Sequence, residues 1–101
     1  MPGLFIIDLT YVAPLDAVDA HLDEHVRFLE RGYADGLFLV SGPKVPRSGG
    51  VIMARAESRE ALMAALAQDP FHRHGLAEYA VTEMVPRKWA PDLDALFAPQ
   101  G

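Results

Sequence analysis

Residues 4–12 read Leu4-Phe5-Ile6-Ile7-Asp8-Leu9-Thr10-Tyr11-Val12, and this apolar run decides the fold. It is rich in β-branched and aromatic residues, which favour strands, and Pro14 ends it. Because the run is short and nearly continuously apolar, it predicts a strand that is buried on at least one face and lies near the centre of a sheet.

The hydrophobic period changes after Pro14. Apolar residues recur every three or four positions, with Asp and Glu between them, which predicts one amphipathic helix over residues 15–35. Gly32 and Gly36 mark the C-terminal end of this helix.

Strand-like and helix-like segments continue to alternate along the rest of the chain. Ser41-Gly42-Pro43 is a turn signal that ends the second strand, and Lys44–Gly50 has the composition of a hairpin loop. The elements predicted after the first helix are strands over 37–40, 51–56 and 79–86, a helix from the N-cap Ser58 to Asp69-Pro70, an irregular turn over 71–75 and a short helix over 92–97.

The order strand, helix, strand, strand, helix, strand predicts an α+β fold of the ferredoxin-like βαββαβ type. Its four-stranded antiparallel sheet carries both helices on one face. The other face stays open, and Ile6 and Asp8 cannot point to the helices together with Phe5 and Ile7. Since an apolar sheet face marks an interface, we expect a homodimer in which two sheets pack face to face as a dimeric α+β barrel. No linker divides residues 1–101, so one domain is expected.

Composition limits the classes of partner. The net charge is −5 and the nine Lys and Arg residues are scattered, which argues against a nucleic-acid interface. There is no cysteine, so thiolate catalysis and cysteine-ligated metals are excluded. The sequence has no Gly-rich phosphate loop or dinucleotide fingerprint, and no cofactor is predicted.

The N-terminus Met1-Pro2-Gly3-Leu4 lacks the basic region of a signal peptide, and Asp8 interrupts the apolar run that follows. This stretch is neither a signal peptide nor a membrane span. We therefore expect a cytoplasmic protein without membrane contact.

Histidine is the first candidate for chemistry, because it titrates near neutral pH. On a helical wheel His25 lies about 60° from the centre of the apolar stripe, on the inner half of the first helix. Its ordinary interpretation is a half-buried helix residue, and the functional one is a general acid or base in a pocket between helix and sheet. His21 and His25 have the i, i+4 spacing of a metal pair, but Glu24 lies off their shared face and no metal site is predicted.

Asp69 also has two interpretations. Asp-Pro commonly terminates a helix, whereas a carboxylate at this position would be able to orient an imidazole and stabilise its cation. His72 follows in the turn and would line the same pocket, and Gly42 would let a ligand approach the backbone. The predicted substrate-binding residues are Ser41, Gly42, Pro43, Phe71 and His72.

Several short signatures occur in one order along the chain. They are His25, the run from Gly36-Leu37 to Ser41-Gly42-Pro43, the run from Ser58 to Asp69-Pro70-Phe71, then Gly75-Leu76, and the strand that ends at Val85-Pro86. Together they resemble the YciI-like (YCII-related) family over roughly residues 4–89, which leaves residues 90–101 as a C-terminal extension. The resemblance implies a ferredoxin-like fold that dimerises through its sheet and an active-site cleft that holds His25 and Asp69.

The resemblance also indicates the kind of chemistry. One relative is linked to dehydrochlorination of a chlorinated hydroxylated aromatic, and related dimeric barrels include muconolactone isomerases and cofactor-free monooxygenases. Many members carry an arginine three residues before the helix histidine, where this chain has Leu22. The candidates for a replacement cation are Arg27, Arg47 and Arg73.

Three functions are therefore considered. The first is a cofactor-independent enzyme, lyase- or isomerase-like, in which His25 is the general acid or base and Asp69 orients it on a small aromatic or keto–enol substrate. The second is a non-catalytic dimeric module that binds a small ligand or a partner protein. The third is a cofactor-free or haem-linked monooxygenase on the same fold.

Overall fold

The computed structural model of the chain describes residues 3–98, in which four strands and the intervening helices follow the predicted order. A 3₁₀ turn, Pro91–Leu93, precedes the last helix. The elements are β1 (Gly3–Tyr11), α1 (Leu15–Asp19), α2 (Leu22–Ala34), β2 (Phe38–Pro43), β3 (Gly49–Ala56), α3 (Arg59–Leu66), α4 (Pro70–Arg73), β4 (Ala77–Met84) and α5 (Asp94–Phe97).

The strands form one sheet in the order β2-β3-β1-β4, and every neighbouring pair is antiparallel. β1, the apolar run that opened the sequence analysis, pairs on both sides and lies inside the sheet, as its composition predicts. The α+β fold of the ferredoxin-like type is confirmed, with α1 and α2 at the position of the first helix and α3 and α4 at that of the second.

The core lies between one face of the sheet and the helices. Side chains alternate along β1, and Phe5, Ile7 and Leu9 are at most 2% exposed. They pack in one cluster with Val18 of α1 and Leu62 of α3. Burial of each such side chain stabilises the fold by about 1.5–3 kcal/mol.

The predicted single helix over residues 15–35 is wrong in one respect, because the chain breaks at Ala20 and His21 and forms α1 and α2. The amide of His21 binds the carbonyl of Val18, and a new helix starts after it. Asp23 and Glu24 lie in the first turn of α2, where the helix dipole favours acidic side chains. The apolar period continues across the break, which is why the break is invisible to a search for periodicity.

The prediction that Ser41-Gly42-Pro43 forms a turn after β2 is also wrong. These residues are the last three of β2 and pair with Ile52, Val51 and Gly50 of β3. β2 is an edge strand, so the missing amide of Pro43 removes no bond that the sheet needs. The strand therefore continues through a sequence that is typical of turns.

Gly32 has a packing role within α2 and does not end the helix, which continues to Ala34. A Cβ at Gly32 would lie 2.1 Å from the ring of Phe38, so only glycine lets α2 approach β2 this closely. Gly36 follows the helix with a φ of 73°, a left-handed conformation that glycine adopts without strain.

The sheet face away from the core carries a row of side chains on paired positions, formed by Val40, Met53, Ile6 and Thr82. Ile6 and Met53 are half-buried and Val40 is exposed. At one end of the same face Leu4 is buried, and a cavity of about 350 Å³ lies between Leu4 and α5.

The longest helix, α2, has 13 residues. Within residues 3–98, none of the helices combines the length and apolarity that a membrane crossing requires.

Candidate functional site

α2 presents His25 on the side of the helix that faces the sheet. The residue is buried, and its side chain is 11% exposed. Leu22 and Leu29 lie on the same side and pack against the core. The helical wheel thus predicts correctly which way the imidazole points.

Asp69 is positioned by helix capping. It is the N-cap of α4, with extended backbone, and its Oδ1 accepts a hydrogen bond from the amide of Phe71 at 3.0 Å. Pro70 occupies the first helical position, which needs no amide hydrogen. The Asp-Pro pair therefore starts a helical turn, and this places a fully buried carboxylate at the inner end of α4.

His25 and Asp69 are in direct contact although 44 residues separate them in the sequence. Nδ1 of His25 lies 2.8 Å from Oδ1 of Asp69. The imidazole also lies almost parallel to the ring of Phe71, at an angle of 6° with centroids 4.0 Å apart. A hydrogen bond at one edge and a stacked ring on one face together fix the orientation of the imidazole.

Tyr79 of β4 is a further member of this cluster, and its hydroxyl donates a hydrogen bond to Oδ2 of Asp69. Burial, and after it the hydrogen bond to Asp69, raise the pKa of Tyr79 well above its ordinary value. The sequence analysis missed this residue. No local sequence signal identifies it, because Tyr79 lies on the core side of the sheet only through its pairing with Leu9, where a buried tyrosine hydroxyl needs a partner.

The carboxylate of Asp69 thus accepts hydrogen bonds from the amide of Phe71 and the hydroxyl of Tyr79, and it shares a third hydrogen bond with the imidazole of His25. An ionised carboxylate is an acceptor only, which matches this arrangement. Nε2 of His25 has no partner among the described residues. No side-chain nitrogen or oxygen of that part of the chain is both buried and unpaired, so Nε2 retains access to open space.

A cavity of about 260 Å³ lies beside His25, between α2, α4 and the sheet. This volume is close to the lower end of the range for small-molecule pockets, roughly 300–1,000 Å³. The lining is mainly apolar and comprises Leu9, Tyr11, Leu22, His25, Val26, Leu29, Ser41, Gly42, Pro43, Arg47, Gly50, Val51, Ile52 and Phe71.

Arg47 supplies the cation of the lining. Its guanidinium forms an ion pair of 2.6 Å with Asp19 and lies 5.7 Å from the centre of the Tyr11 ring. Hydrogen bonding to Asp19 raises the pKa of Arg47, so the group stays charged. Of the three arginines considered as replacements for a cation at Leu22, Arg47 lines the cavity, and Arg27 and Arg73 do not.

The predicted site residues divide into two groups. The structure brings His25, Ser41, Gly42, Pro43 and Phe71 together in the cavity lining, and Asp69 lies behind His25. His72 is exposed and is not part of the lining, and its ring lies 5.4 Å from that of Tyr79 at an angle of 74°. The hydroxyl of Ser41 is engaged by that of Tyr33 at 2.6 Å.

The fold and the site together define a small α+β protein of the ferredoxin-like type with a buried His–Asp pair beside an apolar cavity. The chain belongs to the YCII-related domain family, whose sequence pattern matches residues 4–85. No curated protein matches the chain.

Two solved structures share the fold. One is 5-chloro-2-hydroxyhydroquinone dehydrochlorinase (TftG) from Burkholderia phenoliruptrix AC1100 in complex with 2,5-dihydroxybenzoquinone, at 22% identity and a TM-score of 0.68, with 86% of this chain and 93% of that chain covered. The other is SnoaB, a cofactor-independent oxygenase from Streptomyces nogalater, at 16% identity and a TM-score of 0.52, with 89% and 97% covered.

Proposed function

We propose that this chain is a general acid–base enzyme for a small, flat substrate that carries keto, enol or phenol groups. One observation carries the proposal: an imidazole held by a buried carboxylate lines an apolar cavity of suitable size. His25 is the acid or base, Asp69 orients it, and no cofactor is assigned a part in the reaction.

The hydrogen bonds support a defined tautomer of His25. Oδ1 of Asp69 accepts from the amide of Phe71, and in an ionised carboxylate this oxygen accepts from His25 as well. Nδ1 then carries the hydrogen, and Nε2 carries the lone pair. A neutral imidazole in this tautomer is a base at Nε2.

The carboxylate supports the step that follows. When Nε2 accepts a proton, the imidazolium forms next to the negative charge of Asp69, in surroundings that water reaches poorly. The substrate C–H or O–H bond that loses the proton leaves its electron pair on the substrate, which becomes an enolate or phenolate. That pair returns to another carbon with the proton from Nε2, which is an isomerisation. If that carbon bears chlorine, Nε2 removes a second proton from another hydroxyl of the substrate, the electron pair of that O–H bond expels chloride, and Nε2 passes the proton to water. This second outcome is a lyase reaction.

The lining favours a flat, weakly polar substrate over a sugar or a nucleotide. Apolar side chains from α2 and the sheet form most of the wall, and Arg47 and Ser41 add polar atoms. We assign to Arg47 the binding of a phenolate or enolate oxygen, because it is the cation of the lining. The likeness in fold to a dehydrochlorinase that binds 2,5-dihydroxybenzoquinone supports hydroxylated quinones as the first probes.

The experiment compares wild type with His25→Gln on a panel of hydroxylated quinones and hydroquinones that includes 5-chloro-2-hydroxyhydroquinone. Chloride release and absorbance report turnover, and calorimetry with 2,5-dihydroxybenzoquinone reports binding. We expect His25→Gln to reduce kcat/KM by about 10²–10⁴-fold and to leave the circular dichroism unchanged. His72→Gln is the matched control, because His72 lies outside the cavity lining, and it should keep wild-type activity.

A compound that the wild type converts and that His25→Gln converts equally fast would overturn the assignment. The mainly apolar lining favours one other function, a binding module without catalysis. That function predicts tight binding of a probe in the cavity with no conversion of any member of the panel.

A further inference from the structure

A second cluster of ligating side chains lies outside the cavity, where α2 begins and α4 ends. His21 is the N-cap of α2, Glu24 lies in its first turn, and His74 is the C-cap of α4. Nδ1 of His21 is 3.2 Å from Oε1 of Glu24. The rings of His21 and His74 stack with centroids 4.0 Å apart.

We propose that His21, Glu24 and His74 bind a divalent transition-metal ion, for which zinc is the best match. One ligating atom from each side chain lies within 4.8 Å of the other two. Two imidazoles and one carboxylate are a ligand set that zinc uses with a fourth position left to water. The site differs from the His21–His25 pair considered from the sequence, because Nδ1 of His25 is engaged by Asp69 and the third ligand comes from α4.

The site forms when the two imidazoles rotate, because their rings are stacked at an angle of 25° and their in-plane lone pairs do not yet converge. Tetrahedral zinc with bonds of about 2.0–2.2 Å requires donor atoms roughly 3.4 Å apart. His21 is half-buried and Glu24 and His74 are exposed, so their side chains have room to rotate by the necessary amount. Two stacked imidazoles repel each other when both are protonated, whereas two neutral imidazoles that rotate out of the stack donate lone pairs to a shared cation.

The position of the cluster assigns the ion a structural role. None of the three residues lines the cavity, so an ion bound to them does not meet a substrate there. The ion instead joins the start of α2 to the end of α4. α2 carries His25, and Asp69 is the N-cap at the opposite end of α4. A bound ion would hold these two short elements in register.

The test is a calorimetric titration of the purified chain with zinc after treatment with a chelator. We expect one ion per chain and a rise in melting temperature on the order of 10 °C at zinc concentrations 100-fold above Kd. His74→Ala and Glu24→Gln should each weaken binding at least about tenfold. His72→Ala, which removes an exposed histidine from the same helix, should bind zinc like the wild type.

Equal affinity in His74→Ala and His72→Ala would overturn the proposal, as would the absence of stoichiometric binding by the wild type. Cobalt provides an independent readout, because Co²⁺ in a tetrahedral site absorbs visible light much more strongly than the octahedral aqueous ion. These bands should be present in the wild type and in His72→Ala, and their presence in His74→Ala would contradict the assignment.

Discussion

The hydroxyl of Tyr79 donates a hydrogen bond to Oδ2 of Asp69, whereas the imidazole of His25 contacts Oδ1 of the same carboxylate. β4 thereby contacts the same side chain that caps α4, so the sheet takes part in holding the carboxylate. Because His25 is bound to the other oxygen, any change at Tyr79 reaches the imidazole through Asp69.

Tyr79→Phe should lower the free energy of unfolding by about 1.5–3 kcal/mol at neutral pH, since it removes a hydrogen bond to a charged group. The pH dependence gives a sharper test. The ordinary pKa of the phenol is 10.0 and its pKa in the folded chain is raised. The neutral phenol therefore stabilises the fold fully below about pH 10, and this contribution is lost as the pH rises from there toward the folded-state pKa.

Urea unfolding at a series of pH values checks this sign. Above about pH 10 the wild type should lose up to about 1.4 kcal/mol per pH unit more than Tyr79→Phe, because only the unfolded wild-type chain releases this proton. Parallel stability curves for the two proteins would show that Tyr79 is not buried against Asp69.

Asp69 combines a cap, a buried charge and an orienting group, and two substitutions separate these roles. Asp69→Ala leaves His25 and Tyr79 without their partner and should destabilise the chain by about 3–5 kcal/mol. Asp69→Asn keeps an oxygen for the amide of Phe71 and suits an N-cap, so it should fold. Its neutral amide cannot stabilise an imidazolium, and activity should fall by about 10²–10⁴-fold.

Chemical denaturation and steady-state kinetics of both variants check this separation. Asp69→Asn with undiminished activity would remove Asp69 from the mechanism. Asp69→Ala with wild-type stability would contradict the buried contact itself.

Gly32→Ala tests how closely α2 packs on β2. Alanine has a higher helix propensity by about 1 kcal/mol, yet the new Cβ would overlap the ring of Phe38. We expect a net loss of about 1–3 kcal/mol in urea unfolding, because overpacking outweighs propensity. At Gly42, where a Cβ meets nothing within 4 Å, the same change should be neutral or slightly stabilising. A more stable Gly32→Ala would refute this packing.

The open sheet face leads us to expect a homodimer. The chain has a mass of 11.1 kDa, so sedimentation equilibrium should give twice that value, 2 × 11.1 kDa. Met53→Lys places a charge in the row of Val40 and Ile6 and should shift the mass toward the monomer. Met63→Lys changes an exposed methionine on α3 and should remain dimeric. A wild type that sediments as a monomer at all concentrations contradicts the expectation.

Much of this architecture is predictable from the sequence, because β1 and α2 have strong and different hydrophobic periods. The inward position of His25 follows from the same period. The break at His21 does not follow from it, because the apolar period continues across the break. Only the acidic residues Asp23 and Glu24 mark the start of the new helix. The turn composition of Ser41-Gly42-Pro43 was misleading, because an edge strand tolerates a proline that a central strand would not.

The contacts of the site are harder to predict than its members. His25 and Asp69 meet only because α2 and α4 pack on the same region of the sheet, which no local pattern records. The arrangement of His21 and His74 depends on the same packing, since they belong to the start of one helix and the end of another. Tyr79 illustrates a different limit, because its hydroxyl has a role only once the register of β4 against β1 is known.

The central claim is that His25 presents an unprotonated Nε2 to the cavity while Nδ1–H is held by Asp69. Nitrogen-15 chemical shifts of the imidazole, recorded at a pH where His25 is neutral, test it most directly. We predict a protonated Nδ1 and a bare Nε2, and a displacement of the Nε2 resonance when 2,5-dihydroxybenzoquinone binds. The opposite tautomer, or an Nε2 resonance that stays in place while the quinone occupies the cavity, would contradict the account.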